Sequence, residues 1–385
     1  MKIAVYGTGK IGELVWNVVK KRRRPCLKIV YFVRTQKDRD SFHGVELRSV
    51  KDISFQDFDY LVIATELYAD EMIAQLREVY GDFGEYQDKI IPFDDFLVFP
   101  WDEGDESQPY RSYKVFTEEE ELVFIAKSED QVISREMYCS GKCFSSETID
   151  AFFELTQKYY TGCSKSFSTM SKYTPQKRTG YFLDIGANIG TTSIYVEKRF
   201  PKSLKIIGFE PGQSNYDLFK VNCMLNHTQN IKAEFFGLSD NNERKNYHYV
   251  DKNPGASTII CGNSPTASTE TVELKRLDDY LLEHHIQPNE IDYIWIDAEG
   301  YESKIISGAM HTLACKKIPL LHEFNPGIYS QQNMLESYLE NMEKIYGHFI
   351  SLGNNLAEMG IVYPISELKS YAVGMKAPHV DMFFF

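Results

Sequence analysis

Ten residues, from Tyr181 to Gly190, constrain what this chain of 385 residues can fold into more than any other stretch. Tyr181 to Ile185 is a short apolar run of strand type, with Asp184 at its end. Gly186, Ala187 and Gly190 then make a turn, and a helix follows from Thr191. A strand ending in an acid, then a glycine-rich turn, then a helix is a nucleotide-sized cradle. Small residues let the backbone approach a ligand, and the helix start offers unpaired N–H groups to a carboxylate. The spacing from Gly186 to Gly190 lacks the GxGxxG of a dinucleotide site. It also lacks the Lys-Ser/Thr that ends a phosphate loop.

Such a turn suits a ligand with an amino-acid end in place of a pyrophosphate, and S-adenosylmethionine is such a ligand. The segments that follow agree. Leu204 to Phe209 is a second apolar run closed by Glu210-Pro211. In a doubly wound fold an acid at the end of the second strand meets ribose hydroxyls, two donors for one carboxylate. An amphipathic helix spans Ser214 to Asn226. A third strand, Ile231 to Phe236, leads into Gly237-Leu238-Ser239-Asp240. A fourth, Ile291 to Ile296, ends in Asp297-Ala298-Glu299-Gly300-Tyr301-Glu302. A fifth, Pro319 to Leu321, ends in His322-Glu323-Phe324-Asn325. Polar groups thus gather at C-terminal strand ends, where open α/β sheets bind their ligands.

In their order and spacing, DIGANIG (184–190), FEP (209–211), GLSD (237–240), RLDDYL (276–281) and IDAEGYE (296–302) resemble the FkbM-type methyltransferases. The likeness covers residues 178–385. It implies a class I, seven-stranded Rossmann-like methyltransferase domain, with transfer of a methyl group from S-adenosylmethionine to an oxygen, often a hydroxyl. By the same resemblance Asp184, Gly186, Asn188, Gly190, Glu210, Ser239 and Asp240 would line the cofactor, with Ala187, Thr191, Pro211 and Leu238 among them. Asp297 and Glu299 would sit beside the transferred methyl. Ala298 stands where the family often has valine, and residues 242–270 are long and polar on the substrate side.

The length calls for two domains. The boundaries read as 1–98 for an N-terminal unit, 99–177 for a linker and helical connector, and 178–385 for the methyltransferase domain. A net charge of −13 argues against a nucleic-acid partner. Seven scattered cysteines outline neither a disulfide framework nor a zinc site, although Cys139 and Cys143 can share a helix face. That usage fits a cytoplasmic protein. The chain opens on a strand and not on a signal peptide, and no apolar run reaches the ~20 residues of a membrane span. Phe383 to Phe385 reads as the last, antiparallel strand of the sheet.

Strands are expected at Lys2 to Tyr6, Lys28 to Val33, Tyr60 to Ala64 and Lys89 to Pro92, with helices over Glu13 to Lys20 and Ala69 to Tyr80. This is a small Rossmann-like βαβ domain whose first turn carries Gly7, Gly9 and Gly12. Arg34 stands where a dinucleotide site wants a ribose-binding acid, and it suits a 2′-phosphate. The domain also resembles the N-terminal domains of some bacterial sugar-modifying acyltransferases, which bind a nucleotide-sugar. Three readings stay open: a nucleotide or nucleotide-sugar site, a packing domain, and an NAD(P) site. The run Lys20 to Arg24 reads as basic residues at a helix end that Pro25 stops.

Trp101 to Gln108 reads as the linker, Thr117 with Glu118 to Glu121 as a helix start, and Ile149 to Tyr160 as an amphipathic helix. The chemistry needs a base for the proton that a hydroxyl acceptor loses. Asp297 is the first candidate, Glu299 the second, and His322 and Glu323 the third. Asp297, Glu299 and Glu323 holding Mg²⁺ or Ca²⁺ is an alternative, although no metal is expected. Asp278 reads as a cap for its own helix, Asn253 to Ser257 as a turn over the acceptor, and Tyr247, Tyr249 and Tyr301 as stacking platforms. The acceptor expected is a hydroxyl of a sugar, nucleotide-sugar or glycan precursor. The rivals are a non-catalytic scaffold and an NADP-dependent sugar-modifying enzyme fused to a methyltransferase. The oligomeric state is open, a homodimer among the options.

Overall fold

The computed structural model describes residues 1–20, 27–65, 68–98, 114–117, 121–126, 130, 132–160, 180–200, 204–248, 258–259, 269–353 and 361–385. The expected linker at 101–108, the basic run beyond Lys20, the turn at 253–257 and Tyr249 lie outside them. The chain divides into two compact units. One comprises residues 1–121 and 131–142, the other residues 122–130 and 143–385.

The first unit is built on a six-stranded sheet. Its strands are β1 (Lys2–Tyr6), β2 (Lys28–Arg34), β3 (Ser41–Phe42), β4 (Val45–Ser49), β5 (Tyr60–Ile63) and β6 (Ile90–Pro92), in the order β3-β4-β2-β1-β5-β6. Beyond Lys2, β1 is wholly apolar and buried, as a central parallel strand covered on both faces must be. Helix α1 (Lys10–Lys20) buries Ile11, Leu14, Val15, Val18 and Val19 on one stripe. Helices α2 (Ala69–Tyr80), α3 (Phe93–Val98) and α4 (Ile133–Ser140) and strand β7 (Lys114–Thr117) complete the unit. The β3–β4 hairpin, absent from the sequence reading, turns through His43 and Gly44, at φ 50° and 74°. Positive φ at both turn residues is the tight-hairpin geometry, which a His-Gly pair announces only weakly.

The second unit opens with β8 (Leu122–Ile125) and α5 (Ser146–Tyr159). Its main sheet holds β9 (Gly180–Ile185), β10 (Leu204–Phe209), β11 (Ile231–Glu234), β16 (Ile291–Ile296), β17 (Leu320–Phe324), β18 (His348–Ser351), β19 (Tyr363–Pro364) and β20 (Val380–Phe384). The order is β11-β10-β9-β16-β17-β20-β18-β19, parallel except that β20 runs antiparallel between β17 and β18 and β19 runs antiparallel to β18. This is the class I methyltransferase arrangement, with one two-residue edge strand, β19, beyond the seven expected. A second sheet, β12-β15-β13-β14, joins β12 (Gly237–Leu238), β13 (Glu243–His248), β14 (Thr258–Ile259) and β15 (Thr269–Lys275).

Helices α6 (Thr191–Arg199), α7 (Gln213–Leu225), α8 (Leu277–Glu283), α9 (Glu302–Gly308), α10 (Met310–Cys315), α11 (Pro326–Gln331), α12 (Leu335–Ile345) and α13 (Leu368–Gly374) surround the main sheet. The C-terminal phenylalanines behave as expected: Phe383 and Phe384 of β20 are fully buried. On one face Phe152 of α5 meets Phe383, Tyr293 and Trp295 at centroid distances of 5.8–6.1 Å.

Several expectations are corrected. Thr117 ends the strand Lys114–Thr117 and Leu122–Ile125 is another strand, so the connector is not purely helical; Glu118 to Glu120 lie outside the described residues. Strand β8 has its backbone paired by two side chains one helical turn apart on α7. Asn222 and Asn226 each accept from one β8 N–H (2.7 and 2.9 Å) and donate to one β8 carbonyl (3.1 and 2.7 Å). Helix α4 ends before Cys143, so Cys139 and Cys143 share no helix face, and both are buried. Asp278 caps α10, not α8, by accepting from the His311 and Thr312 amides at 3.0 and 2.9 Å. Among the described residues no helix is long and apolar enough to cross a membrane.

Candidate active site

The turn after β9 is held by its own backbone. The Gly186 and Ala187 amides both donate to the Phe209 carbonyl at 3.0 Å, which fixes the turn to the end of β10. Gly186 and Gly190 lie at φ 87° and 86°, where a side chain is strained. A Cβ at Gly186 would stand 1.9 Å from the Asp297 carbonyl oxygen, and one at Gly190 would stand 2.1 Å from the Phe219 ring. The first contact also shows what the turn touches. The Asp297 amide donates to the Ile185 carbonyl at 2.9 Å, so the ends of β9 and β16 meet as the sequence predicts.

Glu210, 3% exposed, is the polar centre of this cradle. Its two carboxylate oxygens accept separately, from the Asn188 amide at 2.9 Å and the Gly212 amide at 2.8 Å. Burial nevertheless pushes its carboxyl up to about 7, against the hydrogen bonds of Gly212, Asn188 and Asn215. Asp184 is likewise buried, accepts from the Ser193 hydroxyl at 2.5 Å, and is pushed by burial to about 7. Two side-chain oxygens beside Glu210, Asn188 Oδ1 and Asn215 Oδ1, are buried without a hydrogen-bond partner. Such acceptors cost roughly 1–3 kcal/mol each until a donor arrives. Asn215 was not singled out from sequence; a helix residue five positions past the acid gives no signal alone.

Ala187 and Thr191 are buried at the turn and the start of α6. Pro211 lies against Gly237, so Leu238, Ser239 and Asp240 leave from beside Glu210. These three do not end the third main-sheet strand, as expected. That strand stops at Glu234, and the chain crosses to β12, where the Ser239 amide donates to the Lys275 carbonyl at 2.8 Å. The Ser239 hydroxyl donates to Asp240 at 3.0 Å.

The acids beyond β16 form one cluster. Asp297 is exposed, yet it sits in a recess of the surrounding protein. Desolvation there, with the charges of Glu299, Glu323, Asp381 and Glu302 around it, holds its carboxyl well above the usual range. Glu299, at φ 50°, is raised to about 8 by burial and by Glu323 and Glu302. Asp381, opposite Glu323 in the β17–β20 ladder, is raised to about 6, chiefly by burial. Sequence reading missed Asp381, because only strand pairing brings position 381 to this rim. His379 pairs with Glu323 at the same end.

Strand β17 runs to Phe324, so His322 and Glu323 lie within it and not past its end. His322 is fully buried, stacked on Phe384 at 5.1 Å. Both ring nitrogens are engaged, with the Glu323 carbonyl at 2.8 Å and the Tyr338 hydroxyl at 2.9 Å. Burial lowers its pKa to about 4. It is a core histidine and drops out as a candidate base. Tyr247 and Tyr301 are buried too, and offer no open face to a sugar. Among the described residues no three His, Cys, Asp or Glu side chains are placed to hold a metal ion.

In the first unit Gly7, Gly9 and Arg34 line a cleft of about 480 Å³ together with Thr35, Glu71 and Gln75. Gly12 does not line it. It lets α1 approach, since a Cβ there would stand 2.4 Å from the Gly7 carbonyl oxygen. Arg34 pairs with Asp38.

Residues 184–349 match the family described as the methyltransferase FkbM domain, and residues 1–87 match one described as C2185-like, N-terminal. Methyltransferase sdnD of Sordaria araneosa is 30% identical over 155 residues, 33% of this chain and 60% of that protein. Methyltransferase 1 of Beauveria bassiana is 28% identical over 147 residues, 33% of this chain and 57% of that protein. The chain therefore spans less than two thirds of either relative. The crystal structure of methyltransferase FkbM from Methylobacillus flagellatus KT aligns over all of this chain and 90% of that one, at 13% identity and a TM-score of 0.36. The cofactor is S-adenosylmethionine. The cradle fits it: glycines where a side chain would collide, a buried carboxylate, and two unpartnered buried acceptors beside it. Residues 184–349, within the second unit, thus form an FkbM methyltransferase domain.

Proposed function

We propose that this chain is an S-adenosylmethionine-dependent O-methyltransferase whose acceptor is a hydroxyl of a sugar, nucleotide-sugar or glycan precursor. The observation that carries the reading is the juxtaposition of the Gly186 turn with Asp297, an exposed acid in a recess of carboxyls. The cofactor supplies an activated methyl on sulfonium sulfur. Asp184, Asn188 and Glu210 would hold its polar ends, Glu210 taking the ribose hydroxyls. Asp297 would accept the proton that the acceptor hydroxyl loses as its oxygen bonds the methyl carbon and the carbon–sulfur bond breaks. Glu299 is the second base. Glu323 and Asp381 line the same rim and suit the remaining hydroxyls of a polyol, since carboxylates accept hydrogen bonds from hydroxyls. In the first unit, the cleft at Gly9 and Arg34 would be a separate nucleotide or nucleotide-sugar site.

The test is calorimetric titration of S-adenosylhomocysteine into the wild type and Glu210→Ala. Micromolar binding that weakens at least about tenfold in the variant, or about 1.4 kcal/mol, supports the cofactor site. No binding to the wild type removes the activity. Transfer of labelled methyl to a panel of nucleotide-sugars, with catechols and amines as controls, then tests the acceptor. Labelling confined to amines overturns the hydroxyl assignment.

A further inference from the structure

The loop of Asp297 and Glu299 has an unusual backbone: Glu299 and Gly300 are consecutive residues at φ 50° and 89°. One fully buried side chain, that of Glu302, holds it. Glu302 Oε1 accepts from the Ala298 amide at 3.0 Å and the Gly300 amide at 3.1 Å. Its other oxygen, Oε2, stands 3.2 Å from the Tyr329 hydroxyl, which lies 2.9 Å from the Glu323 carbonyl oxygen. Tyr329 has one proton and faces two acceptors. It is fully buried, so no bulk water supplies a second donor. Unless Tyr329 splits its one proton between them, two full hydrogen bonds at once need a proton on Glu302 Oε2. Gln332 completes the grip by donating to the Gly300 carbonyl at 3.0 Å.

We propose that Glu302 is a positioning residue kept as a neutral carboxylic acid, the head of a relay from Glu302 O–H to Tyr329 O–H to the Glu323 carbonyl that fixes the loop carrying Asp297 and Glu299. The groups that face it agree. Asp297, Glu299 and Glu323 are acids, and Tyr329 and Tyr338 are neutral phenols raised well above their usual range by burial. No cation among them favours ionised Glu302, and burial pushes its carboxyl up to about 7 against the amide hydrogen bonds of Glu302, Ala298 and Gly300. The relay itself does not rest on the methyltransferase reading.

The experiment compares the full-length wild type with Glu302→Gln, Glu302→Ala and Tyr329→Phe. Glutamine reproduces the neutral acid, accepting at Oε1 and donating at Nε2. The infrared difference between wild type and Glu302→Gln at pH 6 is expected to contain a protonated-carboxyl band that moves in Tyr329→Phe and fades in wild type as the pH passes 8. Amide exchange over residues 297–303 is expected to stay within about threefold of wild type in Glu302→Gln and to speed up at least tenfold in Glu302→Ala. Absence of that band, or loss of protection in Glu302→Gln, overturns the proposal. If Glu302→Ala does not fold, the band and the other two variants decide. If wild type shows the band and the protection but fails to bind S-adenosylhomocysteine, the relay stands and the methyltransferase reading falls.

Discussion

Individual residues in this site act through what little room they leave. Gly190 combines a left-handed backbone with the Phe219 ring where a Cβ would go. Gly190→Ala should cost about 2–4 kcal/mol in denaturant unfolding, by backbone strain and overpacking together. A loss below about 0.5 kcal/mol would show that Phe219 swings aside freely. The base candidates make a second prediction. Asp297 and Glu299 both sit above the usual carboxylate range, Glu299 at about 8, so each gains its charge late as the pH rises. Methyl transfer should therefore climb from pH 6 and level off above about pH 8, with Asp297→Asn flattening the rise. A rate profile that is flat from pH 6 to 9 would take the proton-accepting role away from this pair. His322 shows the limit of residue-level reading. A histidine after an apolar run looks like a rim residue, and only the length of β17 and its pairing to β20 put it in the core.

At the scale of elements, the strands that carry the site were legible because central parallel strands are short, continuous apolar runs. Lys2–Tyr6, Leu204–Phe209 and Ile291–Ile296 each declare themselves this way. Elements stabilised by other elements did not. Backbone groups of strand β8 are met by Asn222 and Asn226, one turn apart on α7. Nothing in its four residues shows that partner. Asn222 also donates to the Ile189 carbonyl at 2.9 Å, which links this support to the cofactor turn. Asn222→Ala should destabilise the fold by about 2–4 kcal/mol, since it strands buried backbone groups of Ile125 and Ile189. It should also weaken S-adenosylhomocysteine binding, as a titration would read. Unchanged stability would mean that water or another group replaces the amide.

For the whole molecule, the buried acids set a pH dependence. Asp184, Glu210 and Glu302 are all near 7 in the folded chain, against ordinary values near 4 when unfolded. Between those values the folded state binds more protons, so stability falls as the pH rises and levels off once the folded groups ionise. His322, lowered to about 4, has the opposite slope between about pH 4 and 6.5, where the unfolded chain binds the extra proton. Three acids outweigh one histidine there, and above 6.5 the acids act alone. The ligand-free protein should melt at a lower temperature at pH 8 than at pH 6. A higher melting temperature at pH 8 would show that these carboxyls are ionised in the fold at pH 6.

The amino-acid sequence alone set the central parallel strands, the glycine turn, and the acids that follow β10 and β16. Each of these is a property of neighbours in the chain, of apolar runs, glycine spacing and the residue that ends a run. Only the tertiary structure decided which of those acids share one recess. Asp381 joins Asp297 and Glu299 because the last strand runs antiparallel beside β17, which turns its first residues toward the rim. The same packing assigned His322 to the core and gave Glu302 its partners, because burial and pairing depend on residues distant in sequence and become fixed only when the sheet closes.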